Sequence, residues 1–447
     1  MTGALLAAVL AASGFDAKIC WTAAITITTA VWWVFESIPI PAASLLPFAA
    51  FPLTGVLSHS QATAALGNTV ILLLMGAFML SKAIEKSGVH ERFALGMIRV
   101  VGGKSGPRLV LAFMLTSAVI SMWVSNTATV LMLTPMALAL LARTEDKRLA
   151  VPVLLGIAYG ASIGGIGTLI GTPPNVIFAG VYAQATGEQF GFLRWMTIGV
   201  PVVAVAIPLA ALWLARSLRG SYPMTAESPG AWRPGEVRVL LVFGLTVLAW
   251  ITQTEPFGGW TSLMGIDPGS DATVALAAVV IMFLVPDGEG GQLLDWPTAS
   301  SIPWGVLLLF AGGICIAAGF TASGLSTVIG ESLAGLAVLP VFLLVLAICL
   351  TVTFLTEITS NTAVATLLMP VLVATAIGTH LPPELLMIPA AMSASCAFML
   401  PVATAPNAIV FATGQVTIAR MAREGFVLNV LVAFIVAAAI HFMPSIQ

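Results

Sequence analysis

The tripeptide Ser125-Asn126-Thr127 recurs as Ser360-Asn361-Thr362, 235 residues later (360 − 125). A hydroxyl precedes each copy by four residues, Ser121 and Thr356, at the same spacing. Downstream, Thr172-Pro173-Pro174-Asn175 recurs as Thr404-Ala405-Pro406-Asn407, 232 residues later (404 − 172). Upstream, the stretch 72–88 resembles 307–324, with Gly76 and Gly312 in matching places. Four matches in one order at nearly constant spacing mark an internal duplication, which constrains the fold before any other feature does.

The duplication is embedded in an apolar chain. Of 447 residues, 59% are hydrophobic and 8% charged, and the mean hydropathy is +1.05. Soluble domains carry roughly 25% charged residues, so the composition is that of an all-α polytopic membrane protein. A membrane β-barrel would show alternating segments of about ten residues, whereas the apolar runs here are continuous. They fall near 3–14, 17–35, 38–57, 69–87, 107–142, 150–184, 197–215, 237–253, 272–286, 303–322, 337–378, 385–419 and 425–443. The first is read as a short helix, because it lacks the basic n-region of a signal peptide.

Four of these runs are too long for one span of about 20 residues, and each is interrupted by polar, Gly or Pro residues. They read as two re-entrant hairpins, 107–142 and 337–378, and two broken helices, 150–184 and 385–419. The stretch 216–238, with four arginines and three prolines, reads as the linker between halves. Of 17 Lys and Arg, only Arg420 and Arg423 lie beyond residue 238. Lys104, Arg108, Arg143, Lys147 and Arg148 flank the first hairpin, which places its base in the cytoplasm by the positive-inside rule. The second hairpin has no Lys or Arg near either end, so its base is expected outside. The halves are thus expected to be inverted repeats, with the N-terminus cytoplasmic and the C-terminus external.

A helix that breaks inside a membrane leaves carbonyls unpaired before the break and N–H groups unpaired after it. Such groups persist at that depth only when buried or lining a polar cavity. Ser, Asn and Thr suit the start of the second arm. That start carries partial positive charge and free donors, which attract anions. The preceding carbonyls and hydroxyls suit a small cation such as sodium. Two tripeptides from opposed hairpins would clamp a dianion. A plain capping role is the bland alternative, and spacing alone leaves open whether each tip stops in mid-membrane.

Gly164, Gly165, Gly167 and Gly171 lead into the first Thr-x-Pro-Asn, where unwound backbone would offer carbonyls; close helix packing is the alternative. The second break, 395–407, has Pro401 and Pro406 but no glycine. Glu357, three residues before Ser360, would neutralise sodium, carry a proton or, as the favoured reading, hold the hairpin by accepting hydrogen bonds. Glu36, Lys82, Glu85 and Lys86 lie near segment ends and read as interfacial. The stretch 90–101 reads as an amphipathic surface helix, and 327–336 as its less charged counterpart.

Other classes find little support. The four cysteines have no C-x-x-C spacing and read as reduced packing residues; the four histidines form no H-E-x-x-H. A net charge of −2 argues against nucleic acid. A sodium–proton antiporter would lean on Glu357 alone, and a membrane-embedded enzyme would need a nucleophile–base or metal constellation.

The two Ser-Asn-Thr copies, together with Ser395-Cys-Ala-Phe-Met-Leu-Pro-Val-Ala-Thr-Ala-Pro-Asn-Ala-Ile-Val410, resemble the divalent anion–sodium symporter family of INDY-type sodium–dicarboxylate and citrate cotransporters. The resemblance runs in order over nearly the whole chain. It implies a homodimer in the bacterial inner membrane, working as an elevator, with a scaffold at 1–105 and 237–336. The moving transport domain would be 106–236 and 337–447. It implies that Asn126, Thr127, Pro174, Asn361, Thr362 and Thr404 face the substrate. Ser121, Ser125, Asn126 and the Gly167 region would hold one sodium, and Thr356, Ser360, Asn361 and the Ala403 region another. The expected activity is sodium-coupled uptake of a C4-dicarboxylate such as succinate, fumarate or malate. A dicarboxylate exchanger, or a citrate or sulfate carrier, is the alternative.

Overall fold

The computed structural model describes residues 10–101, 105–142, 146–218, 230–253, 259–265, 271–333, 335 and 339–442. Most of the expected first helix, the middle of the linker and the extreme C-terminus lie outside the described residues, as do the flanking Lys104 and Arg143. Among the described residues the regular elements are all helices. Seven are long and apolar enough to cross a membrane, among them Ala17–Phe35, Phe192–Ala215, Trp304–Ser323 and Ile418–Phe442.

Both hairpins form. Gly106–Ser121 and Asn126–Leu141 are the arms of the first, and Val341–Thr356 and Asn361–Thr379 those of the second. Three of the four arms have 16 residues, about 24 Å of helix against about 30 Å of hydrocarbon. The fourth arm, Asn361–Thr379, has 19 residues and is one of the seven helices long enough to cross. Both broken helices also form: Ala150–Gly165 with Pro173–Thr186, and Pro383–Ala394 with Ala405–Ala412.

The packing is reciprocal. In each half the first hairpin arm lies against the first segment of the broken helix: Gly106–Ser121 on Ala150–Gly165, and Val341–Thr356 on Pro383–Ala394. Across the halves, Ala405–Ala412 packs on Asn126–Leu141 and Pro173–Thr186 packs on Asn361–Thr379. That exchange is what an approximate two-fold axis between inverted repeats requires. In the first half the contact is backbone to backbone. A Cβ on Gly160 would stand 2.7 Å from the Met114 carbonyl oxygen, and one on Gly164 would collide with Ala118. Close packing thus accounts for Gly164, whereas Gly165 and Gly171 meet each other at the break.

Several boundaries differ from expectation. The apolar run 38–57 is not one spanning helix but two short ones, Ile40–Ala43 and Leu46–Leu53. Pro39 and Pro41 start the first piece and Pro47 the second, each lacking the backbone donor a continuous helix would need, while Pro52 sits inside Leu46–Leu53. The second broken helix ends at Ala412, followed by Gly414 at φ +71. The last helix begins at Ile418 rather than 425. The amphipathic helix is present as Val89–Val101, and its counterpart as Leu325–Leu333. They dock differently, however: the former packs on the first arm of its hairpin, the latter on the second. Gly330 and Gly378 make that second contact, their backbones too close to admit a side chain on either.

Candidate substrate and cation site

Each hairpin tip is built by its serine. Ser125 is extended (ψ 141°) and its Oγ accepts from Ala128 N–H at 3.2 Å, so the second arm starts at Asn126. Ser360 does the same toward Ala363 N–H at 3.5 Å. Asn126–Thr127 and Asn361–Thr362 therefore occupy the first helical turn, where N–H groups are unspent and the helix end is positive.

The breaks are held by the asparagines of the two Thr-x-Pro-Asn motifs. Asn175 Nδ2 donates to the Gly165 and Thr168 carbonyls at 3.1 and 2.8 Å. Asn407 Nδ2 donates to the Ala397 and Leu400 carbonyls at 3.0 Å each. The acceptors lie ten and seven residues back in both halves, so one clamp is built twice. The sequence reading took the motif for its Thr and Pro; the repeated Asn at its fourth position was the available signal. Replacing Asn407 by aspartate would replace that donor with a carboxylate oxygen, an acceptor facing two carbonyls. Asn407→Asp is expected to lose more stability than Asn407→Ala, with the alanine variant costing about 1–3 kcal/mol. Thermal unfolding in detergent reads the order of the two.

The second break has a further support. Glu357 Oε1 accepts from the N–H groups of Phe398 (2.7 Å) and Met399 (2.9 Å), and Oε2 from Leu400 N–H at 3.0 Å. Asn429 Nδ2 donates to the same carboxylate at 2.7 Å. All the hydrogen bonds of this buried acid hold backbone or Asn429, which matches the favoured structural role. The breaks also touch each other, through Thr172 Oγ1 and Ser395 Oγ at 3.1 Å. Tyr159 crosses from the first broken helix to donate to the Phe398 carbonyl at 2.7 Å.

These elements enclose a cavity of about 480 Å³. Asn126, Thr127, Pro174, Asn361, Thr362 and Thr404 all line it. Of the residues assigned to sodium, Ser125, Asn126, Ser360, Asn361 and Ala403 line it as well, while Ser121 and Thr356 are buried outside the lining. Ser121 Oγ donates to Asn126 Oδ1 at 2.6 Å. Thr356 instead donates to the Thr353 carbonyl at 3.0 Å, and Asn361 Oδ1 is buried without a hydrogen-bond partner. That oxygen is a donor-free ligand of the kind sodium takes.

Gly167 lies outside the lining, and its carbonyl oxygen is 3.0 Å from where a Cβ on Gly199, on Phe192–Ala215, would stand. Gly171 lines the cavity instead, and it lies 232 residues before Ala403 (403 − 171), at the repeat spacing. Glu36, read as interfacial, also lines the cavity. Trp33, Phe78, Ser81, Pro303 and Val306 complete that side of the wall. Phe78 and Ser81 lie in the repeated stretch 72–88 and the others outside the repeated motifs, and no polar pattern marked any of them as cavity wall.

Comparison with known proteins agrees with this architecture. The family model described as citrate transporter matches residues 30–381. The sodium-dependent dicarboxylate transporter SdcS of Staphylococcus saprophyticus is 38% identical over 445 residues, covering 94% of this chain and 85% of that protein. SdcS of Staphylococcus aureus is 36% identical, covering 96% and 86%. Among solved structures, the Alcanivorax borkumensis YdaH transporter aligns with a TM-score of 0.65 at 15% identity, over 93% of this chain and 97% of that one. Neisseria gonorrhoeae MtrF aligns with a TM-score of 0.61 at 15% identity, over 87% and 83%. At that identity these two share the fold alone. With duplicated hairpins meeting at one polar cavity, and with these relatives over most of its length, the chain belongs to the citrate-transporter family model and is a transporter of the divalent anion–sodium symporter family.

Proposed function

We propose that the cavity binds a C4-dicarboxylate such as succinate, fumarate or malate, and that sodium ions beside the two hairpin tips are moved inward with it. One observation carries this reading: two helix starts, with Asn126–Thr127 and Asn361–Thr362, line a cavity to which no Lys or Arg among the described residues contributes. Each helix end supplies about half a charge, and an unbalanced buried charge costs several kcal/mol. Cations are the natural supplement. The names of the staphylococcal relatives, sodium-dependent dicarboxylate transporters, support the same pair of ligands.

The proposed sites are Ser121, Ser125, Asn126 and the Gly171 carbonyl for one ion, and Thr356, Ser360, Asn361 and the Ala403 region for the other. The cavity wall is shared between the hairpin body (106–236 and 337–447) and the rest (1–105 and 237–336). A binding site at such a boundary fits an elevator in which the first body slides against the second. A homodimer in the bacterial inner membrane, with the N-terminus cytoplasmic and the C-terminus external, completes the proposal; its basis is the arginine asymmetry and the family.

Uptake of labelled succinate into liposomes by the purified protein tests the reading. Accumulation driven by an inward sodium gradient is expected. Uptake that needs internal dicarboxylate and ignores sodium would make the protein an exchanger. Uptake of citrate or sulfate without succinate would overturn the substrate.

A further inference from the structure

Glu36 ends the helix Ala17–Phe35 in the left-handed conformation, φ 48° and ψ 37°. Only one other non-glycine residue among those described, His380, has positive φ. This conformation costs an L residue roughly 1–2 kcal/mol. A carboxylate at a helix C-terminus also faces the negative end of the helix dipole. Glu36 is exposed and has no polar partner among the described residues, so its charge is free to act on what enters the cavity.

Its place in the cavity wall sets what its charge can act on. Glu36 is the one Asp, Glu, Lys, Arg or His among the described residues lining the cavity. The helices packed on Ala17–Phe35 add no counter-charge. Ile40–Ala43, Leu46–Leu53, Trp304–Ser323 and Asn361–Thr379 carry no Asp, Glu, Lys, Arg or His, and Leu325–Leu333 carries only Glu331, which is outside the lining. An acid in a cavity built for an anion opposes the anion and favours the cation.

We propose that Glu36 is the electrostatic selector of this cavity, drawing sodium in and holding anions back in proportion to their charge. The proposal rests on the dianion reading above. Because Coulomb energy scales with the product of charges, a trianion is penalised more than a dianion, while sodium is favoured. Sodium therefore enters ahead of the anion, and tricarboxylates are discriminated against without any steric barrier. No chemical step is involved; the residue acts through its field alone.

The test uses full-length protein in detergent, with calorimetry for sodium alone and then for succinate and tricarballylate at saturating sodium, pH 8. Glu36→Gln removes the charge and keeps the shape. It is expected to weaken sodium binding and tighten both anions, by roughly two- to threefold per unit of ligand charge for groups about one Debye length apart. Tricarballylate should therefore gain more than succinate, and all three shifts should shrink when choline chloride is raised. Glu36→Asp keeps the charge and is expected to behave as wild type. Should the glutamine variant unfold, Glu36→Asn serves instead, since Asn tolerates this backbone conformation. Shifts of one sign for sodium and anions, no shifts at all, or an aspartate variant that behaves like glutamine would overturn the proposal. Wild-type protein that binds no succinate in sodium would instead bring down the dianion reading beneath it.

Discussion

Replacing Glu357 by alanine is expected to destabilise the protein by about 3–5 kcal/mol, the cost of breaking a buried charge-assisted network. The backbone N–H groups of Met399 and Leu400 lose their acceptor together with the Asn429 amide, while Phe398 N–H keeps only Asn429 Oδ1 at 3.2 Å. Glu357→Gln should recover only part of this, because its amide nitrogen must face a donor that the second carboxylate oxygen now satisfies. The loss should appear as a lower unfolding midpoint in detergent, with succinate no longer protecting the protein against unfolding. An alanine variant as stable as wild type, but unable to couple transport to a proton or sodium, would show instead that Glu357 is an ion carrier.

Asn126→Ala and Asn361→Ala are each expected to weaken succinate binding about 10- to 150-fold, the equivalent of one polar contact to a charged group worth about 1.5–3 kcal/mol. The unfolding midpoint should stay near that of wild type, because neither side chain is the helix cap; the caps are Ser125 and Ser360. The two variants should differ in their sodium response. Asn126 Oδ1 is shared with the Ser121 hydroxyl, whereas Asn361 Oδ1 has no protein partner. Loss of Asn361 should therefore raise the sodium requirement more than loss of Asn126. Unchanged succinate affinity in both folded variants would reduce the tripeptides to caps.

The parts legible in the sequence are those whose chemistry is local. A serine that caps a helix does so through the next three residues, so Ser125 and Ser360 announced both tips, and the repeat spacing paired them. The breaks were visible because Pro173, Pro174 and Pro406 cannot continue a helix. What stayed hidden depends on distant chain. Glu36 follows an apolar run and precedes Ser37 and Pro39, which is how an interfacial residue also looks; only the packing of its helix beside the hairpin tips brings it to the cavity. Gly167 and Gly171 are four apart in one glycine-rich stretch, and composition does not say which of them lines the cavity. Carrying the 232-residue spacing back from Ala403 would have chosen Gly171. The run 38–57 had the length and hydropathy of a span, and Pro39, Pro41 and Pro47 outweighed both.

The linkage between sodium and the anion is the most direct test. Binding of one must favour the other by the same factor if bound cations balance the dianion. Calorimetry on purified protein over a sodium series at constant ionic strength, with potassium and choline as replacements, measures it. The apparent Kd for succinate is expected to fall as sodium rises and not to respond to potassium. Ser125→Ala and Ser360→Ala should blunt that response more than they lower binding at saturating sodium. Succinate that binds equally well in sodium and in choline would contradict sodium-coupled transport and leave an exchanger that balances charge by another route.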